Sequence, residues 1–499
     1  MAGSDPCTPS PALHAHLLTR LHPPRPAVLV VVTGFTTAAI VSPSPPPARQ
    51  TVHMPAQQCA AQAAQLGQLP KPRIVIHGGA GNVTRENLPP SSPQYAAYAD
   101  FLRHLLRTGH ADLLSGARAV DTACRVVQLF EDHPAFNCGR GAVFTRAGTI
   151  ELEASVMVSR PLSAGAPGKR RASGEKRGVG VALLNRVKNP VLLAKELLLR
   201  DAGGSDGDGA TEDGDAHAAC RHNFLSGPEA ERLAANWGLD IVDQSWFWTE
   251  RRWKEHLRGL HPPQHGSSGE YLPQGTVGCV AMDRYGHLCV ATSTGGTTNK
   301  LPGRIGDTPT LGAGFWAEEW PVPASVPPPP PPPIAASPLA TGLRWLLPEC
   351  LPAPPKCLPA PPADAKQPQT RAVALSGTGS GDYFLRLAAA HSIAARCRFG
   401  GRPLAAAVRD VVGRGGEMQR AAEAAGRWAD GSGAGEGGVV AMDGEGSIVW
   451  DLNCAGMFRG FVDDAGTTKV LAALPCTSMT VADGYAVLQV AVYADEEMH

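Results

Sequence analysis

Apolar residues recur along this chain at two periods. Ser92-Pro93 followed by Tyr98, Phe101, Leu102, Leu105 and Leu106 has helical spacing, with a hydroxyl able to cap the first turn and a proline suited to its first position. Val120, Ala123, Cys124 and Val127 mark a second helix. Pro190 opens a third over residues 190–199, and residues 228–237 form a fourth, stopped by Gly238. A fifth is predicted over residues 383–397. Strands appear as runs bounded by turn residues. Residues 73–77 make the first. Residues 276–283, a turn at Tyr285-Gly286 and residues 288–292 make a hairpin. Residues 438–443, a turn at 444–446 and residues 447–450 repeat it. Hairpins with separate runs of helix predict antiparallel sheets packed against helices in one α+β layered domain, not alternating βαβ units.

Other stretches have neither period. Residues 1–70 are rich in Pro, Ala and Ser, and no Asp or Glu occurs between Pro6 and Arg85. They are expected to lie outside the fold. Their apolar run, 27–41, is too short for a membrane span and too far from Met1 for a secretory core. Two readings stay open: an organelle transit segment carrying Arg20, Arg25 and Arg49, or a true start at Met54. The acidic, glycine-rich stretch 203–218 and the Pro-rich stretch 321–369, with seven consecutive prolines at Pro327–Pro333, read as loop insertions. A single domain is therefore expected over 71–472, with 473–499 unassigned.

Composition narrows the classes of function. Lys+Arg and Asp+Glu both number 45, and no basic stripe is present, which argues against nucleic-acid and membrane-surface binding. Hydrophobic residues at 43% exclude a wholly disordered chain. The 12 cysteines include no CxxC pair and HExxH is absent, so reduced thiols in a reducing, cytoplasmic setting are expected in place of zinc or disulfides. Gly433, Gly435 and Gly438 fit GxGxxG, but they precede a strand, so the dinucleotide reading fails on order. Walker A and GxSxG signatures are also absent.

What remains is a concentration of Thr and Gly at Gly275-Thr276-Val277-Gly278 and Thr292-Ser293-Thr294-Gly295-Gly296. A Thr hydroxyl is a weak nucleophile unless a base takes its proton. A Thr that begins a chain carries its own base, because an α-amine titrates near 8. Making that amine requires cleavage at Gly275–Thr276, and glycine there tolerates strain and leaves its carbonyl uncrowded.

With these residues the sequence resembles the plant-type asparaginases and isoaspartyl peptidases, which are N-terminal nucleophile hydrolases. The carrying segments are IHGGAGN from Ile76, FNCGRGAVFTRAGTIELEASVM from Phe136, GTVGCVAMD from Gly275, ATSTGGTTNKLPGRIGDTPTLGAGFWAE from Ala291, SGTGSGDYFLR from Ser376 and LNCAGMFRG from Leu452. The resemblance implies a four-layer αββα sandwich, two antiparallel sheets between helical layers, and self-cleavage into an α chain ending at Gly275 and a β chain beginning at Thr276. Thr276 would be the nucleophile and Thr294 the threonine whose hydroxyl bonds and tunes it. Thr378 and Gly379 would form the oxyanion site, and Asn137 would stand close to the nucleophile. His77 and its glycines would support the site.

An amino-acid substrate offers an α-carboxylate and an α-ammonium, so its site needs a forked cation and an anion a few ångströms apart. Arg304 and Asp307 fit, with Gly379 and Gly381 implied at the ammonium end. The resemblance further implies hydrolysis of the β-amide of asparagine and of β-aspartyl peptides, no organic cofactor, a structural Na⁺ or K⁺ on backbone carbonyls near 131–138, and a dimer of αβ units. Two alternatives stay open: glycosylasparaginase, to which GTGSGD at 377–382 reads closer, and an uncut scaffold that binds partners through its Pro-rich insertion.

Overall fold

The computed structural model describes residues 70–161, 177–202, 219, 221–261, 275–322, 369–462 and 490–493. The predicted extension and both insertions lie outside these residues except at their boundary positions. The first helix begins where capping chemistry puts it. Ser92 Oγ accepts the Tyr95 N–H at 3.1 Å, and Pro93 opens α1 (Pro93–Leu114). Helices α2 (Ala119–Asp132), α3 (Pro190–Ala202) and α4 (Gly227–Asn236) follow at the predicted places. A helix the periodicity did not reveal, α5 (Glu250–Leu260), is capped by Thr249.

The predicted helix over 383–397 is two helices, α6 (Gly381–Leu387) and α7 (Ala389–Arg398). Ala388 between them is left-handed, with φ +44°. The break turns the start of α7 onto the loop after Asp307, so that Ala390 and His391 N–H groups reach the carbonyls of Ala313 and Gly312. Helices α8 (Leu404–Val412) and α9 (Glu417–Ala424) complete the helical part of the described residues.

Strands β1 (Arg73–Gly81), β2 (Leu152–Val158), β3 (Gly178–Leu184), β4 (Phe224–Ser226), β5 (Val277–Met282), β6 (Leu288–Thr294), β11 (Gly456–Phe461) and β12 (Val490–Tyr493) form one sheet. Its order is β12-β11-β1-β5-β6-β2-β3-β4. The last strand lies in the stretch the sequence reading had left unassigned. Strands β7 (Phe315–Pro321), β8 (Thr370–Gly379), β9 (Gly437–Asp443) and β10 (Ile448–Leu452) form the second sheet, in the order β10-β9-β8-β7. All pairings are antiparallel except β3 with β4. Both predicted hairpins are present, and an Asp closes each turn: Asp283 Oδ1 accepts the N–H of Tyr285 and His287, and Asp443 Oδ1 that of Glu445 and Ser447.

Strand alternation sorts the core. In β5, Cys279 and Ala281 pack with helices α1 to α3, whereas Val280 and Met282 join a separate cluster with Ala372, Ala374, Val440 and Met442 of the small sheet. In β8, Val373 and Leu375 turn the other way, into the cluster built on α7 and α8. Apolar material thus lies on both faces of each sheet, and the residues between the sheets come from every second position of facing strands. Cys124, Cys138, Cys279, Cys289, Cys397 and Cys454 are buried free thiols, and burial raises Cys124 to about 12. No helix among the described residues is long and apolar enough to cross a membrane.

Candidate active site

Following the inter-sheet parity toward one end of the sheets, the apolar residues give way to hydroxyls. Val280 and Gly278 in β5 lead to Thr276, and Leu288 and Val290 in β6 lead to Thr292 and Thr294. In β2, Met157 is followed back along the strand by Ser155 and Glu153. In the small sheet, Ala372 and Ala374 lead to Ser376 and Thr378. Residues 277 and 293 are paired across the hairpin, and 153 is paired with 294, so these side chains converge. All of them are buried.

The Thr276 hydroxyl lies 2.9 Å from the Thr308 hydroxyl. This corrects the expected partner. Thr294 lines the same pocket, but its Oγ1 accepts the Gly296 N–H at 3.0 Å, so it shapes the strand-end turn instead of bonding Thr276. Asn137 grips that turn too: its Nδ2 donates to Gly296 O at 2.7 Å, its Oδ1 accepts the Val143 N–H, and its carbonyl accepts the Gly295 N–H.

His77 bridges the two sheets beneath the nucleophile. Its Nδ1 is 3.0 Å from Thr276 O and its Nε2 is 2.6 Å from Ser376 Oγ. A carbonyl can only accept, so Nδ1 carries the proton and Nε2 receives the serine O–H. Burial drives the imidazole pKa down to about 3, outweighing the opposing effect of its bond to Thr276. This histidine is a neutral brace.

Gly275 is needed for room. A methyl group there would lie 2.3 Å from Thr378 Oγ1 and 2.6 Å from the Ala80 nitrogen. Close approach is thus one reason for glycine at this position. Thr378 Oγ1, buried against Gly275, has no hydrogen-bond partner among the described residues. A buried hydroxyl without a partner can still donate one hydrogen bond at that point. Next to it Gly379 has φ +132°, a conformation that side chains rarely adopt.

Across the pocket stand the charged residues. Arg304 Nη2 donates to Asp382 Oδ1 at 2.9 Å, and Asp307 is buried with an unpartnered Oδ2. They do not pair with each other among the described residues, yet both line the pocket with Gly275, Thr276, Thr294, Gly379 and Gly381. A methyl group on Gly381 would meet Asp307 Oδ1 at 2.3 Å and Arg304 Nη2 at 3.1 Å, so the glycine leaves open the space flanked by anion and cation. Burial, then the nearby Glu153 charge, raises the Asp307 carboxyl to about 7.

Glu153 and Lys300 were not singled out by the sequence reading. Glu153 Oε1 accepts the Gly306 N–H at 3.0 Å, and Lys300 Nζ lies 3.7 Å from the same oxygen. Together they fix the turn between Arg304 and Asp307. Thr308 was missed as well; its only signal is its place next to Asp307. The space left in the pocket is about 20 Å³, room for one water and not for an amino acid. Gly275 itself forms part of the wall.

Helix α5, the last described element before Gly275, is tied to both sides of the site. The Arg252 side chain, almost wholly buried, donates from Nε to Gly141 O at 2.7 Å. Glu255 accepts the Thr298 hydroxyl, and Asn299 Nδ2 donates to His256 O. Among the described residues no three His, Cys, Asp or Glu are grouped to hold a metal ion.

Comparison with known proteins agrees in extent and in order. The family described as asparaginase matches residues 70–202, 216–325 and 367–472, and the breaks in the match fall on the acidic loop and the Pro-rich stretch. The isoaspartyl peptidase of Salmonella typhimurium is 32% identical over 405 residues, covering 80% of this chain and 97% of its own length. That of Escherichia coli is 32% identical over 405 residues, with 80% and 95% covered. A probable isoaspartyl peptidase/L-asparaginase 2 of Arabidopsis thaliana is 27% identical over 422 residues, with 80% and 97% covered. Matches of this length and identity establish that the chain belongs to the asparaginase family.

Proposed function

We propose that this protein is a threonine amidohydrolase that cuts itself at Gly275–Thr276 and then cleaves the β-amide of L-asparagine and the β-linkage of isoaspartyl peptides. The observation that carries this reading is the meeting, in one pocket, of a threonine hydroxyl at a glycine junction with a guanidinium and a buried carboxylate on the far side. The relatives named isoaspartyl peptidase support it. In this reading Arg304 holds the substrate α-carboxylate and Asp307 the α-ammonium, which sets the side-chain carbonyl before Thr276. The freed α-amine of Thr276 takes the hydroxyl proton as Oγ attacks. The oxyanion draws on the Thr378 hydroxyl and the Gly379 N–H, ammonia or the amine of the distal residue leaves, and water releases the acyl group.

The same reading gives the fold its finer description: a four-layer αββα sandwich of the N-terminal nucleophile type, which the three separate apolar clusters support. It makes 71–472 one hydrolase domain, and it favours a dimer of αβ units. A structural Na⁺ or K⁺ fits the turn over 131–138. There Gly139 lets the Glu131 carbonyl come within 2.2 Å of where a methyl would stand, and Gly141 does the same for Phe136 O at 2.1 Å, so backbone carbonyls come close to the chain there. Bound there, the ion would hold the turn that delivers Asn137.

The test is a denaturing gel and intact mass of the purified protein beside Thr276→Ala, followed by assays with asparagine and β-aspartyl dipeptides. Two fragments, one beginning at Thr276, in the wild type alone, with hydrolysis of either substrate, are expected. A single inert chain after long incubation would overturn the reading.

A further inference from the structure

Before the cut, the nitrogen of Thr276 is an amide and has no basic lone pair. The amine that serves the finished enzyme therefore cannot serve the reaction that makes it. Some other group must turn the Thr276 hydroxyl for that first attack, and the only hydrogen-bond partner of this hydroxyl among the described residues is Thr308 Oγ1, at 2.9 Å. Thr308 is buried, and its carbonyl lies 2.7 Å from the Ser155 hydroxyl and 3.3 Å from that of Thr292, so it is fixed from behind by two strands.

We propose that Thr308 is a catalytic residue of self-cleavage: its hydroxyl accepts the Thr276 O–H and so points the free lone pair of Thr276 Oγ1 at the Gly275 carbonyl. The inference rests on Thr276 as nucleophile and Gly275–Thr276 as the cut. As the Oγ1–C bond forms, the hydroxyl proton passes to the Thr276 nitrogen and the C–N bond breaks, leaving an ester between Gly275 and Thr276. Water then splits the ester into a Gly275 carboxylate and a Thr276 with free hydroxyl and amine. Thr308 ends as it began. Because Thr308 shares a peptide bond with Asp307, the turn that presents the substrate anion site also aims the nucleophile.

Thr308→Val keeps the shape and removes the hydroxyl; Thr308→Ser keeps the hydroxyl. Each is expressed as the full chain, and the fraction cut is followed on denaturing gels over time, with kcat and KM for asparagine measured once cutting is complete. Thr308→Val is expected to slow cutting on the order of tenfold to a hundredfold, the range of a lost hydrogen bond to a reacting group. Its kcat falls by a smaller factor, since the amine has by then taken over, and KM moves least. Thr308→Ser is expected to restore cutting to within about threefold of the wild type. Wild-type cutting by Thr308→Val, or equally slow cutting by both variants, overturns the proposal. Cutting by Thr276→Ala would instead overturn the nucleophile assignment on which it rests.

Discussion

The layer between the sheets has two unlike ends. At one, the inward residues are Val280, Met282, Val290, Ala374 and Met442, all buried and apolar. At the other, continuations of the same strands place Thr276, Thr294, Ser155 and Thr378, with Glu153 and Asp307 beside them. The same strands run through both ends, and alternation along them supplies the inward side chains in both places. The difference is one of payload. Close packing at the first end holds the strands in register, and that register sets the spacing of hydroxyls at the second, where several polar atoms go unsatisfied.

If the two ends divide the work this way, substitutions should separate fold from chemistry. The largest effect is expected from Thr276→Ala, which removes the nucleophile: hydrolysis falls by about four orders of magnitude or more while the thermal midpoint stays within about 2 °C. A matching loss of stability would erase the distinction. Met442→Ala at the apolar end should do the reverse, lowering unfolding free energy by about 2–5 kcal/mol in a denaturant titration while folded enzyme keeps its KM.

Asp307→Asn sharpens the contrast within the polar end. It removes the partner of the substrate ammonium, and KM for asparagine should rise by roughly tenfold to a hundredfold. Its effect on stability has the opposite sign. A carboxyl whose folded pKa is raised to about 7 stabilises the fold below its unfolded value and loses that contribution as pH climbs through 7. The variant should therefore melt above the wild type at pH 8, by a smaller margin at pH 5, and close to it only near pH 4. Equal melting at pH 8 and pH 5 would mean that Asp307 is not a buried free acid. The same titration predicts that wild-type KM rises by up to about tenfold per pH unit below 7, as Asp307 takes up a proton. A KM flat from pH 5.5 to 8 would count against Asp307 as the ammonium partner. The smallest effect is expected from Thr294→Val, which removes one bond to Gly296 N and should cost about 1 kcal/mol of stability.

Much of this was legible in the chain. Ser92-Pro93 announced α1, the glycine-containing hairpin turns announced β5–β6 and β9–β10, and the threonine- and glycine-rich segments announced the site. What could not be read has particular causes. Strand β2 is buried on both faces, so it shows no alternation to distinguish it from a buried helix segment. Helix α5 buries Arg252 and His256, while Leu257, in the middle of its apolar row Trp253, Leu257 and Leu260, is exposed, so the apolar row does not mark the buried face. The break at Ala388 arises from tertiary hydrogen bonds to Gly312 and Ala313, which no local preference of alanine foretells. The exchange of Thr294 for Thr308 as partner of Thr276 depends on how the loop after β6 folds back across the strand ends. Parity puts Thr294 near Thr276, but it does not say which hydroxyl completes the contact.

The order of the large sheet has a bearing on what the proposed scission does to the molecule. Strands β1 and β2, from before Gly275, flank β5 and β6, from after it, and β11 lies on the other side of β1. Helix α5 is latched to the loops at 141 and 298–299. A nick at Gly275 opens a connection and leaves every ladder intact. The two polypeptides should elute as one particle in size-exclusion chromatography and part only in denaturant, like a split protein whose halves were folded around each other before they were separate.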